Sequence, residues 1–109
     1  MPRYLIISDI DGTLTANHHD VTPKTAAAIA AAVASGASFY VATGRMHALA
    51  QVVAKQFEPE ASIIASNGAV YDFSGERVHH VLGQGALTAV ETVTDQLGLN
   101  ALYLSLIHI

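Results

Sequence analysis

The stretch Tyr4–Thr15 reads YLIISDIDGTLT and is the most informative part of this sequence. It begins with four apolar residues, a run too short for a helix and rich in β-branched side chains. Such a run predicts a fully buried, central strand of a parallel sheet. Two carboxylates one residue apart follow, Asp9 and Asp11, and then Gly12, which permits a turn. The two acids are therefore expected at the carboxyl end of a strand, where open α/β sheets place their ligand sites.

The pairing of Asp9 with Asp11 predicts metal-assisted phosphate chemistry. If strand geometry persists to Asp11, the two side chains point the same way and repel each other. A bound Mg²⁺ relieves such repulsion, since it takes one or two carboxylates together with water and substrate phosphate. One acid could then attack phosphorus while the other transfers a proton. The alternative is an acidic turn without chemistry, because the DxDG pattern also suits a turn.

The segment Asp9–Leu14, DIDGTL, resembles the first motif of the haloacid-dehalogenase-like phosphatases. The resemblance implies that Asp9 is the nucleophile that becomes an aspartyl phosphate and that Asp11 is the general acid/base. It also implies that Asp9 and the main-chain carbonyl of Asp11 hold Mg²⁺. The expected reaction is hydrolysis of a small phosphorylated metabolite, such as a sugar phosphate. The expected fold is α/β, a Rossmann-like parallel sheet with helices on both faces, a β-hairpin and the start of a cap domain.

The rest of the first part of the chain alternates between strand and helix patterns. Thr22 and Pro23 are typical of a helix start, and Gly36 is typical of its end. Alternation of this kind implies parallel strands joined by right-handed crossovers. The predicted elements are a helix from Thr22 to Gly36, a strand Ser38–Thr43, a helix Met46–Phe57 with Leu49, Val52, Val53 and Phe57 on one face, and a strand Ala61–Ala65.

The pattern changes after residue 68. Ala69–Phe73 and Arg77–Leu82 flank Ser74-Gly75, which predicts an antiparallel hairpin. Ala86–Leu97 is amphipathic and is followed by Gly98, and Ala101–Ile109 predicts a strand. We therefore predict two domains, residues 1–82 as the N-terminal half of the core and residues 83–109 as the beginning of the cap.

Further candidate site residues follow the second and third predicted strands. Thr43 could donate its hydroxyl to a bound phosphate, with help from the Gly44 N–H and the next helix N-terminus. The alternative is an N-cap threonine beside a structural glycine. Arg45 could pair with a phosphate or with an acid near the site, or lie solvated on its helix. Asn67 could hydrogen-bond substrate or the acidic loop, or serve only as a turn residue.

Two short motifs narrow the resemblance to the Cof-type sugar-phosphatase branch of the superfamily. Members of that branch carry TGR after the second strand, as at Thr43–Arg45, and SNGA followed by a hairpin, as at Ser66–Ala69. A hydroxyl at Thr43 also matches the superfamily's second motif. The resemblance extends to Leu82 and is looser beyond it.

Composition excludes several other classes. The chain has 109 residues, a net charge of −4, 51% hydrophobic residues and no cysteine. This argues against nucleic-acid partners, disorder and thiolate chemistry. No signal-like or membrane-spanning segment is recognisable, so we expect a cytoplasmic protein with no membrane partner. The pairs His18-His19 and His79-His80 are expected at the surface.

The later family motifs have no counterpart here. The family's third motif supplies a lysine, but Lys24 and Lys55 both fall in predicted helices, and the GDxxND-like fourth motif is absent. We therefore expect an inactive N-terminal part of a longer enzyme. Because the sequence ends within a predicted strand, the native origin of its final residues, Leu104–Ile109, is left open. A phosphotransferase or phosphomutase of the same superfamily is an alternative. A receiver-like phospho-acceptor module is disfavoured, because Ser66-Asn67 stands where its acceptor aspartate should be.

Overall fold

The computed structural model describes residues 3–17 and 19–101 and divides the chain into two units, Met1–His79 and His80–Ile109. The first unit contains a five-stranded sheet in the order β1-β2-β3-β4-β5. β1, β2 and β3 are parallel, whereas β4 and β5 form an antiparallel hairpin beside β3. The predicted α/β class and the hairpin are therefore confirmed. The strands are β1 (Leu5–Asp9), β2 (Ser38–Ala42), β3 (Ser62–Ala65), β4 (Val70–Phe73) and β5 (Glu76–His79).

Helix α1 covers Pro23–Ala34, as its local signals predict. The Thr22 hydroxyl accepts a hydrogen bond from the Thr25 N–H at 3.2 Å, which satisfies one of the free donors at the helix start. Gly36 follows the helix with φ at 105°, a conformation that is strained for other residues. Both ends of α1 are thus determined by short-range chemistry.

Helix α2 covers His47–Ala54, and the apolar face predicted for it is only partly buried. Leu49 and Val52, which belong to that face, are 55% and 56% exposed. Small side chains such as Ala50 occupy much of the buried face, because they allow the helix to approach β3 closely. The buried residues of α2 are His47, Ala50, Val53 and Ala54, and Phe57 packs just beyond the helix.

Strand β1 is not the buried central strand that its apolar sequence predicts. It pairs with β2 alone among the described strands and so lies at the edge of the sheet. Leu5 is 62% exposed and Ile7 is 52% exposed. The parallel orientation is correct, with Leu5 opposite Ser38 and Asp9 opposite Ala42.

Both helices of the first unit lie on one face of the sheet. Right-handed crossovers from β1 to β2 and from β2 to β3 place α1 and α2 on the same side. The side chain of Gln56 supports this, since its Oε1 accepts the Val21 N–H at 2.8 Å beside the start of α1. The expected second layer of helices is therefore not formed within residues 3–79. We call the helix-bearing side, which buries Phe39, Val41 and Ile63, the covered face, and the side that carries Leu5, Ile7 and Phe73 the open face.

The second unit contains helix α3, Gln84–Leu97, which begins two residues before the predicted start and ends at Gly98 in the left-handed conformation. The division after His79 lies close to the predicted domain boundary after residue 82. Assignment of the two units to a core and a cap stays a prediction. The predicted strand Ala101–Ile109 lies outside the described residues, except for Ala101. None of the helices described has the length and apolar character that a membrane span requires.

Candidate functional site

The acidic motif forms a compact turn at the end of β1. Asp9 is the last strand residue, so strand geometry does not persist to Asp11 and simple alternation does not orient the two carboxylates. The Gly12 N–H donates to the Thr15 carbonyl at 2.9 Å, and the Leu14 N–H donates to the Ile10 carbonyl at 3.0 Å. Ile10 and Thr15 are buried. The turn is thus held by its buried residues, whereas Asp9 and Asp11 remain accessible at the carboxyl edge of the sheet.

Arg45 forms an ion pair with Asp11 through two nitrogen atoms of its guanidinium group. Its Nε donates to Asp11 Oδ2 at 3.1 Å, and its Nη2 donates to Asp11 Oδ1. The sequence allowed Arg45 to pair with a phosphate or with a nearby acid, and in the structure it pairs with the acid Asp11. A two-point pair of this kind stabilises the charged carboxylate and fixes the orientation of both groups. It also joins the acidic turn to the segment that precedes α2.

Thr43 lies directly after β2 and is buried, with 8% of its surface exposed. Its Oγ1 accepts the Arg45 N–H at 3.0 Å, and its own N–H donates to the Ile64 carbonyl at 2.9 Å. A hydroxyl that accepts one hydrogen bond still has a proton to donate. The predicted bond from Thr43 to a phosphate is therefore chemically compatible with the structure and stays a prediction.

The segments after β2 and β3 are joined by their main chains. The Ser66 N–H donates to the Arg45 carbonyl at 2.7 Å, and the Asn67 N–H donates to the Thr43 carbonyl at 3.1 Å. Asn67 adopts φ of 55°, which the predicted turn role accounts for. A Cβ on Gly44 would stand 3.0 Å from Asn67 Oδ1, so a glycine allows this close approach. The sequence-predicted residues Thr43, Gly44, Arg45 and Asn67 therefore form one cluster.

A second polar pair was missed by sequence reasoning. The buried His47, at the start of α2, lies with its Nε2 at 3.2 Å from Asp72 Oδ1 in β4. Asp72 Oδ2 accepts the Ile63 N–H at 2.9 Å. The available signal was position, because His47 precedes Ala50 by three residues and so shares its face of α2.

Of the remaining histidines, the three that the structure describes lie at the surface. His19, His79 and His80 are exposed, as predicted, and His18 lies outside the described residues. Within the part of the chain that the structure describes, no group of three or more His, Cys, Asp or Glu side chains is arranged to hold a metal ion. The assignment of Mg²⁺ to Asp9 and Asp11 is thus left to the resemblance of the motif.

Comparison with known families decides the relationship of this chain. A family model described as haloacid dehalogenase-like hydrolase matches residues 6–103. This chain belongs to that family. The match includes the acidic turn, the Thr43–Arg45 segment and both structural units, so the predicted relationship is confirmed.

Relatives of this hydrolase family agree with the assignment. A candidate phosphatase of Mycoplasma pneumoniae is 35% identical over 77 residues, covering 70% of this chain and 27% of that protein. A candidate phosphatase of Buchnera aphidicola is 34% identical over 77 residues, covering 70% of this chain and 29% of its own. The aligned residues make up most of this chain but less than a third of each relative.

Solved structures of the family share the fold. A haloacid dehalogenase-like hydrolase of B. subtilis superposes with a TM-score of 0.72 at 26% identity, covering 86% of this chain and 34% of that one. A sugar phosphatase of subclass IIB superposes with a TM-score of 0.65 at 26% identity, covering 87% of this chain and 38% of that one. This chain therefore spans well under half the length of the relatives that it matches.

Proposed function

We propose that these residues supply the phosphoryl-transfer site of a Mg²⁺-dependent phosphatase acting on a small phosphorylated metabolite, such as a sugar phosphate. The observation that carries the proposal is the cluster at the carboxyl edge of the sheet. Asp9 ends β1, and the Arg45–Asp11 pair lies with Thr43 at the end of β2. Family membership and the 26% identity with a sugar phosphatase support the same reaction.

In the proposed reaction, Asp9 attacks the phosphorus of the substrate. The bond between phosphorus and the leaving oxygen breaks, an aspartyl phosphate forms on Asp9, and Asp11 gives a proton to the leaving oxygen. Asp11 then takes a proton from water, which attacks the aspartyl phosphate and restores Asp9 while inorganic phosphate leaves. The pairing of one nucleophilic carboxylate with one proton-transferring carboxylate divides a difficult displacement into two easier steps.

Arg45 has two roles in this proposal. Its guanidinium group orients Asp11, and it stabilises the charged form of that carboxylate. Proton uptake by Asp11 therefore requires that Arg45 shift part of its hydrogen bonding elsewhere. A substrate phosphate offers such a partner, because its oxygens match the same planar fork.

Mg²⁺ fits the oxygen donors of the acidic turn. The carboxylate of Asp9 and the main-chain carbonyl of Asp11 would hold it, since the Asp11 side chain is engaged by Arg45. When bound, the ion would offset the repulsion between Asp9 and the phosphate. The Asp9 carboxylate is accessible for this, with the Thr13 hydroxyl as a weak donor at 3.5 Å.

The 109 residues alone are expected to turn over slowly or not at all. The two lysines of the chain lie in α1, at Lys24, and at the C-cap of α2, at Lys55, so neither follows a strand of the sheet as the candidate site residues do. Loss of one preorganised electrostatic donor typically lowers kcat by about 10²–10³. Comparable turnover by residues 1–109 and by the full-length gene product would contradict this expectation.

The test is release of inorganic phosphate from a panel of phosphorylated metabolites by the full-length product of the gene that encodes this chain. We expect Mg²⁺-dependent release that an Asp9→Asn substitution abolishes. Asp95→Asn, which removes one carboxylate from α3, is the matched control and should keep activity. Unchanged turnover in Asp9→Asn would refute the assignment, and phosphate transfer to a second metabolite instead of water would indicate a transferase.

A further inference from the structure

The pair formed by His47 and Asp72 links three elements of the first unit. Because an ionised carboxylate only accepts hydrogen bonds, the Nε2–H of His47 donates to Asp72 Oδ1, 3.2 Å away. The second oxygen of Asp72 accepts the Ile63 N–H at 2.9 Å. One carboxylate in β4 therefore holds the start of α2 and the main chain of β3 together.

Of this pair, His47 is shielded from water and Asp72 is partly exposed. The side chain of His47 is 8% exposed and that of Asp72 is 31% exposed. Buried polar groups are costly unless they are hydrogen-bonded, so loss of the Asp72 carboxylate leaves the buried His47 without this partner. Both groups lie on the covered face, where α2 packs against the sheet. The pair therefore restricts the position of the first turn of α2 on the sheet more than apolar packing alone would.

The first turn of α2 leads directly back to the candidate site. His47 follows Arg45 by two residues, with Met46 as the N-cap between them. The Arg45 main chain is held from two sides, by Thr43 Oγ1 at its N–H and by the Ser66 N–H at its carbonyl. The direction in which its guanidinium group extends toward Asp11 depends on this main chain. A displacement at His47 therefore acts on Arg45 within two residues.

We propose that His47 and Asp72 are a positioning pair that holds Arg45 in register with Asp11. The inference rests on the proposed function for its catalytic consequence, but its structural part is independent of that function. Loss of the pair should loosen the Arg45–Asp11 contact while the sheet and both helices of the first unit remain folded. In the full-length enzyme, the same loss should lower kcat more than it raises KM, because Asp11 acts in the chemical step.

The direct measurement is the Arg45 side-chain Nε–Hε signal in ¹⁵N-edited NMR spectra of residues 1–109. Hydrogen-bonded guanidinium protons exchange slowly with water, so the exchange rate reports the contact with Asp11. We expect His47→Leu and Asp72→Ala each to accelerate that exchange by about tenfold through local opening. His47→Gln should preserve the slow exchange, because its amide N–H can still donate to Asp72.

His79→Leu is the matched control, since it removes an exposed histidine from β5 and should leave the Arg45 signal unchanged. If His47→Leu fails to fold, Asp72→Ala decides the matter, because alanine removes both oxygens that accept from His47 and from the Ile63 N–H. Slow Arg45 exchange in a folded Asp72→Ala variant would overturn the proposal. If wild-type full-length protein lacks phosphatase activity, the proposed function fails, whereas the Arg45 exchange rates still decide the positioning role.

Discussion

The two faces of the sheet differ sharply in exposure to water, although the strands contribute apolar side chains to both. On the covered face, Val41 is fully buried and Ile63 is 1% exposed. On the open face, Ile7 is 52% exposed and Phe73 is 63% exposed. The difference arises because both crossovers place their helices on one side. Apolar composition therefore indicates which segments form strands, whereas the path of the chain determines which side chains leave water.

The largest expected effect on stability is at a phenylalanine of the covered face, compared with one on the open face. Phe57 is 3% exposed and its ring centre lies 5.0 Å from that of Phe39. We expect Phe57→Ala to lower the free energy of unfolding by about 3–5 kcal/mol through lost burial and a cavity. Phe73→Ala, on the open face, should cost under about 1 kcal/mol. Urea unfolding of residues 1–109 measures both, and equal costs would show that the open face is covered in solution.

A medium effect is expected at the contact that ties the two helices of the covered face. Gln56 accepts the Val21 N–H at 2.8 Å and donates to the His19 carbonyl at 2.5 Å. Gln56→Ala should lower the free energy of unfolding by about 1–3 kcal/mol, because a part-buried main-chain donor loses its partner. Gln51→Ala, within α2, is the control. Equal unfolding midpoints for the two variants would argue that the hydrogen bonds of Gln56 contribute nothing to stability.

The smallest effect on stability is expected at the open face itself. Ile7→Thr keeps a β-branched side chain in β1 and removes apolar surface that already contacts water. We expect a change within about 0.5 kcal/mol and less self-association in sedimentation velocity, since exposed apolar edges promote association. Ile63→Thr, the matched change on the covered face, should be strongly destabilising. A large loss of stability in Ile7→Thr would contradict the exposure of β1.

Local signals predicted the parts of the fold that short-range chemistry controls. Thr22 and Gly98 are a helix start and a helix end because their caps need no distant partner. The buried face of α2 was predicted less well, because Leu49 is larger and more apolar than Ala50 yet points away from the core. Close approach of a helix to a sheet favours small residues, and that preference is not visible in hydropathy alone.

Residue types at the candidate site were predicted, and most of their contacts were not. The sequence named Arg45 and offered an acid as one partner, but it did not select Asp11. The His47–Asp72 pair carried no comparable signal, since its members lie 25 positions apart. Long-range polar pairs depend on which elements become neighbours, and periodicity does not report that.

The sequence by itself determined the acidic motif after an apolar strand, the alternation of strands and helices, and the family. Each of these is written in residues that are close together along the chain. Only the tertiary structure decided that Arg45 meets Asp11 across 34 positions and that β1 lies at an edge with one side exposed. The physical reason is that ion pairing and burial depend on distances in space. Those distances are set when the strands pair and the helices pack against one face of the sheet.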